Sequence, residues 1–386
     1  MAIIRHMEAQ LDQAKQEQAR QYARTRRLLS LVDLLIGLVY LLVWIFSGLG
    51  VRLKAVMLTF TDQNSLLVAG ILLALGAGMA LVSLPLGYYS GFVLPHRYDL
   101  SNQTLKDWLI DQLKGLLISA PLALLLVELL YLVLGAYPDT WWLWAAGIML
   151  LVNVLLANLA PVLILPLFNK YTPLGEEHTD LEQRLLKLAE KAGAQVKGVF
   201  KMDMSRRTSA ANAGLTGLGS SRRIVLGDTL INEFSPDEIE TVLAHELGHH
   251  VNRDIPLMIA FGTLETLLGF FLAGQLLQVG VGAAGLAGPA DPAAMPLLAL
   301  ALGLYGMLTT PLDNLFSRWR ERLADRYALA TTGKGRAFAS AMTRLANQNL
   351  AEVDPPAWVE FLFYSHPALG KRIQMARELA PEEGQP

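Results

Sequence analysis

The chain has no cysteine among its 386 residues. That absence excludes disulfides, thiolate-bound zinc and a cysteine nucleophile, and it leaves His, Asp and Glu as the only strong metal ligands. Charge is scarce too. Asp, Glu, Lys and Arg make up 17% of the residues and the formal net charge is −2, which gives no argument for nucleic acid, and none is expected as a partner. Histidine is limited to seven positions. What is abundant is apolar: 53% of residues are hydrophobic and the mean hydropathy is +0.37, too apolar for an ordinary soluble chain, so several segments must meet lipid.

One stretch concentrates the scarce residues. Thr241-Val-Leu-Ala-His-Glu-Leu-Gly-His-His250 places His245, Glu246 and His249 in the spacing H-E-x-x-H. Residues four apart share a helix face one turn apart, so two imidazoles can grip one metal ion while the glutamate sits beside the water it carries. Ser235-Pro-Asp-Glu238 ahead of it is an N-cap, a proline at the first helical position and an acidic first turn, and Ile239, Val242, Leu243 and Leu247 form the apolar stripe. His250 falls about 100° round this helix from His249 and is expected to point elsewhere.

Six stretches are long enough to cross a bilayer, at 28–49, 66–94, 113–136, 141–165, 255–281 and 295–312. Lys and Arg number six before the first span, two in the first loop (Arg52, Lys54), three in the second (Arg97, Lys106, Lys114) and none in the third. The positive-inside bias then puts both termini and both long polar segments on the cytoplasmic side, with Tyr137, Trp141, Trp142 and Trp144 as an aromatic belt at the opposite surface. Residues 1–27 are too long and too acidic for a signal-peptide n-region and read as a cytoplasmic amphipathic lead-in, its charges those of a solvated helix. Between the spans, 169–254 reads as a soluble α/β insert carrying the H-E-x-x-H helix, with Asp254 or a neighbour as the cap of the next helix. Residues 313–380 form a second polar half, and 381–386 a disordered tail.

A catalytic zinc needs a third protein ligand and an open position. The long zincin pattern with a third histidine is closed, because Ile255 stands where that histidine would be. Glu265 lies nine residues beyond Pro256, roughly 14 Å along its own span at 1.5 Å per residue, which is deep for the sphere of His245. Glu321, just past the sixth span, is the stronger candidate, and Asp325 follows it on the same helix face. One of this pair would bind metal and the other hydrogen-bond a non-ligating nitrogen of His245 or His249. A charged surface helix with i,i+4 pairs is the alternative reading of this stretch. Asp33, Glu128 and Glu265 lie within spans, where ionisable groups usually face a polar interior.

Ser317-Arg-Trp-Arg-Glu-Arg-Leu-Ala-Asp325 after His-Glu-Leu-Gly-His resembles the type I CAAX prenyl protease family of integral-membrane zinc metalloendopeptidases. Tyr88-Tyr-Ser-Gly-Phe-Val, Arg97-Tyr-Asp, Asn102-Gln-Thr-Leu, Asn212-Ala213, Arg223-Ile-Val-Leu-Gly-Asp-Thr-Leu230, and Ser365-His-Pro367 with Arg372 extend the likeness from the first span to Ile373. The resemblance implies a mainly α, polytopic membrane bundle enclosing a chamber, with a zincin-like α/β catalytic domain on its cytoplasmic side. The family usually has seven spans where six are counted here. It implies one zinc per chain on His245, His249 and Glu321, with Glu246 as general base and Asp325 behind the ligands. His366 and Arg372 would face the oxyanion or substrate carbonyls, and Asn212 and Ala213 would lie on a strand that pairs with an extended substrate.

The expected activity is endoproteolysis of peptides or proteins, including prenylated or membrane-associated ones, in the inner membrane of a prokaryote or the endoplasmic reticulum of a eukaryote. A quality-control protease with the same chemistry is one alternative. A catalytically silent membrane scaffold or transporter is another, and Glu246 argues against it, since a structural zinc site has no use for a base there.

Overall fold

Asp12 accepts hydrogen bonds from the backbone N–H groups of Ala14 and Lys15 and so caps a helix that runs unbroken over Gln13–Ser47 (α1). The computed structural model describes residues 9–217 and 222–379, so the tail at 381–386 and the first part of the lead-in lie outside the described residues. The lead-in corrects an expectation: its described part is neither separate from the first span nor solvated all round. Gln16 is buried, donating to the Ala351 carbonyl at 3.1 Å and accepting from the Val353 N–H at 3.1 Å, and Arg27 pairs with Glu352 at 2.9 Å. Apolar residues of α1 such as Leu28, Leu35, Val39 and Phe46 are exposed, while its first turns dock on the second polar half.

Gly48, at φ +67, turns the chain into a short helix at Leu49–Met57 (α2). Longer helices follow at Asn64–Arg97 (α3), Leu105–Ala136 (α4), Trp141–Phe168 (α5), Asp254–Ala284 (α9) and Pro292–Thr332 (α10); with α1 these are the six among the described residues long and apolar enough to span a membrane. No break separates the sixth span from the polar half expected to begin at 313. The helix that crosses the bilayer is the one that carries Glu321.

The six helices meet at the end remote from the H-E-x-x-H motif, where Trp44, Ile71, Tyr131, Trp141, Leu277 and Leu298 form one apolar cluster sealed by Lys54–Asp291 at 2.8 Å. They meet again around the polar halves. In between they are loosely packed: no residue is buried over 20–43, 76–93, 101–130, 147–168, 255–268 or 302–313. The stretch 255–268 alone is about 21 Å of helix at 1.5 Å per residue. Loose packing here fits the chamber that the resemblance implies, with the apolar cluster closing its far end.

That half holds, among the described residues, a four-stranded sheet in the order β1 (Tyr171–Pro173), β2 (Val199–Met202), β4 (Arg223–Gly227), β3 (Ala213–Thr216), with β2 and β4 parallel and the other pairs antiparallel. Thr179–Lys191 (α6) and Asp228–Glu233 (α7) cover it and precede the H-E-x-x-H helix, Pro236–Val251 (α8). Ser235 caps α8, as the sequence predicts, and Glu238 closes a capping box with it. Gly335–Gln348 (α11), Ala357–Phe363 (α12) and Leu369–Leu379 (α13) complete the half. Leu185, Ile224, Leu243, Leu247, Ala328 and Phe338 share its core, which fastens α8 to α10.

The fastening depends on Gly248. A Cβ there would lie 2.8 Å from Ala324 Cα and 3.0 Å from the Ala324 carbonyl, a contact against rigid backbone. Gly248→Ala is therefore expected to destabilise the fold by about 1–3 kcal/mol, read as a lower Tm in detergent; an unchanged Tm would contradict this packing.

Candidate active site

One turn of α8 brings His245 and His249 together with their rings perpendicular and Nε2 atoms 3.1 Å apart. From α10, Glu321 Oε2 lies 3.3 Å from His245 Nε2 and Oε1 lies 3.5 Å from His249 Nε2. All three residues present a ligand atom within 4.8 Å of the other two. Glu265, the weaker candidate for this position, is not in the cluster: its carboxyl group hydrogen-bonds Asp313 within the hollow.

The far side of each ring is fixed by an aspartate. His245 Nδ1 is 2.8 Å from Asp325 Oδ1, and His249 Nδ1 is 2.6 Å from Asp254 Oδ2. A carboxylate only accepts, so each Nδ1 carries a hydrogen, and a ring in its neutral form turns a bare Nε2 lone pair toward the other ring and toward Glu321. Glu321 Oε2 is itself buried, with imidazole nitrogens as its near polar neighbours, His245 Nε2 at 3.3 Å and His366 Nδ1 at 2.9 Å. Three electron-rich atoms facing one point repel unless a cation lies among them. The same demand acts on the proton: burial favours neutral His245, yet hydrogen bonds to Asp325 and Glu321 push it up to about 9. Two imidazole nitrogens and one carboxylate, with Nδ1 partners behind the rings, are a donor set that fits a catalytic zinc.

Around this centre, Glu246 is half-buried on the next position of α8. His366 is exposed, with Nδ1 2.9 Å from Glu321 Oε2. Arg372 is buried behind His245, its Nε 2.9 Å from Asp325 Oδ2 and its Nη2 3.3 Å from His245 Nδ1, so its guanidinium is committed largely to the aspartate. His366 and Arg372 both line a cavity of about 550 Å³ between α1 and the 345–372 region. His250 points away, as the helical angle requires, and meets Arg222 at 3.4 Å.

Ala213 opens β3, which is at the edge of the sheet, and Asn212 immediately precedes it. The Ala213 N–H does not join the ladder to β4 but donates to the Asn212 side chain at 2.9 Å, while the Asn212 carbonyl accepts from the Gly227 N–H. The approach to this strand is stitched down on two sides. Asn349 accepts from the Ala211 N–H at 2.8 Å, and Ser101 and Asn102 of the loop between α3 and α4 pair with Thr208 and Arg207. That loop carries the Arg97-Tyr-Asp and Asn102-Gln-Thr-Leu segments noted above.

Sequence reasoning missed Asp254, read as a helix cap. Its carboxylate instead holds His249, and the residue before its helix is Arg253 in the left-handed conformation. The signal was present as an acidic residue five positions beyond the second motif histidine, but only the reversal at Arg253 turns it back under the ring.

A two-histidine, one-glutamate centre on a soluble half that spanning helices carry defines a membrane metalloprotease. Residues 4–170 match the family model described as CAAX prenyl protease N-terminal, five membrane helices, and residues 176–380 match peptidase family M48; the chain belongs to that family. Where that first model counts five membrane helices, this chain has four long ones and the short α2. It is 32% identical to an uncharacterized metalloprotease YhfN of Bacillus subtilis, over 94% of this chain and 86% of that one. It is 32% identical to CAAX prenyl protease 1 of Saccharomyces cerevisiae, over 81% and 72%. The crystal structure of S. mikatae Ste24p superposes with a TM-score of 0.84 at 28% identity, covering 97% of this chain and 91% of that one.

If Glu321 closes the centre, Glu321→Ala loses bound metal and Glu265→Ala keeps it, measured as zinc content of purified protein. Loss only in the Glu265 variant would overturn the assignment.

Proposed function

We propose that the chain is a zinc endopeptidase that cleaves peptide bonds at the mouth of its membrane chamber, with one zinc held by His245, His249 and Glu321. The observation that carries this reading is the convergence of two Nε2 atoms and a buried carboxylate on one point. Zinc, when bound, brings the pKa of its water toward neutrality and polarises the scissile carbonyl. Glu246 takes the proton from the attacking water and delivers it to the leaving amine. His366, exposed beside Glu321, donates to the oxyanion. Arg372 acts one layer back: it holds Asp325, which holds His245, and its charge faces Glu246.

Extended substrate adds to the free edge of β3. It displaces the Asn212 side chain from the Ala213 N–H and satisfies its own backbone there, with little reading of side chains. The substrate class follows the named relatives, CAAX prenyl proteases. Prenylated C-terminal tails are the substrates proposed here, presented on the cytoplasmic side, an orientation that the Lys and Arg bias supports.

Glu246→Gln is expected to keep one zinc per chain and to lower kcat by roughly 10²–10⁴-fold; full activity in that variant, or in metal-free protein, would defeat the mechanism. Ala213→Pro, tolerable on an edge strand, is expected to lower kcat/KM with zinc content unchanged, and unaltered peptide cleavage would remove β3 from the substrate path. A farnesylated peptide is expected to outrun the same peptide without the lipid, whereas equal rates would mark a general quality-control protease.

A further inference from the structure

Both histidines are held from behind in the same way, by relays built from different parts of the chain. His245 leans on Asp325, which Arg372 grips. His249 leans on Asp254, whose Oδ1 receives Arg320 Nε at 2.7 Å and Arg320 Nη2 as well. Arg320 is the neighbour of Glu321 on α10, and its Nη2 also donates to the Asn252 carbonyl at 2.7 Å. Asp254 and Arg320 are both buried, so neither charge is at this position for solubility; each is affordable only because the other neutralises it.

The chain takes an unusual path to put Asp254 there. Arg253 adopts φ +55, a left-handed conformation uncommon for a residue with a side chain, and the reversal sets Asp254 as the first residue of spanning helix α9, under the last turn of α8. We propose that Asp254, held by Arg320, is a positioning residue for the metal site: it fixes the tautomer and plane of His249 and raises the basicity of its Nε2 toward the ion. Asp325, on α10, does this for one ligand; Asp254, at the start of α9, does it for the other. The inference rests on the zinc reading above, and it adds that both motif histidines are aimed by carboxylates on spanning helices and not by the sheet-bearing half alone.

The test compares zinc dissociation constants by chelator competition, and the visible spectrum of the cobalt(II)-substituted protein, for wild type, Asp254→Asn and Asp237→Asn. Asp237 is a carboxylate in the first turn of α8, paired with Arg184 and Lys334 and remote from the metal. Asp254→Asn is expected to weaken zinc about 10–100-fold and to change the cobalt spectrum, while Asp237→Asn leaves both as in wild type. Zinc held by Asp254→Asn within about twofold of wild type, with an unaltered spectrum, would overturn the proposal, as would equal losses in the two variants. Should Asp254→Asn fail to fold, Arg320→Lys keeps the charge but loses the fork; it is expected to weaken zinc in the same direction, and wild-type affinity there would overturn the proposal. Failure of the zinc reading itself looks different, because wild type would then bind no metal either.

Discussion

The structure depends on how closely two helices approach. Glu321 is a metal ligand only if α10 lies near enough to α8 for a carboxylate to reach two imidazole nitrogens, and that approach is possible because Gly248 offers no side chain where Ala324 backbone passes. Large residues of the shared core then press the pair together while Gly248 sets the distance. A single methyl group at this crossing would push the third donor outward from a cluster whose atoms now lie within 4.8 Å. Helix packing and coordination are one constraint here.

The same helix explains why the enzyme is a membrane protein. α10 starts in the apolar cluster at the far end, runs bare through the hollow and ends among the core residues of the catalytic half, so the ligand and the wall of the chamber are one element. α9 does the converse, beginning at the residue that steadies His249 and leading away into the bundle. The His245, His249 and Glu321 cluster therefore lies at the boundary between hollow and core, where a low-dielectric surround strengthens each charged contact.

Much of this was legible in the sequence because the signals are local. Apolar runs of spanning length, the Ser235 cap with Pro236 and Glu238, and the i,i+4 pairs His245/His249 and Glu321/Asp325 each lie within a single element and follow from helical geometry. What escaped was decided between elements. Glu265 and Glu321 are both carboxylates on helices after the motif, and spacing favoured Glu321, but only the crossing of α8 with α10 shows that the former ends beside Asp313 and the latter between two rings. Asp254 looked like a cap because capping is what an aspartate does at a helix start in isolation. The docking of the lead-in was hidden for the same reason: Gln16 and Arg27 find their partners more than 300 residues away, at 351–353.

The central claim is that two imidazoles and one carboxylate from beyond the last crossing share a single zinc ion. X-ray absorption at the zinc edge of the purified, bilayer-reconstituted protein tests it directly. The account predicts a low-coordinate shell of nitrogen and oxygen donors at about 2.0–2.1 Å with the outer-shell scattering of two imidazole rings. A shell with one ring or three, or six oxygen donors and no imidazole, would contradict it.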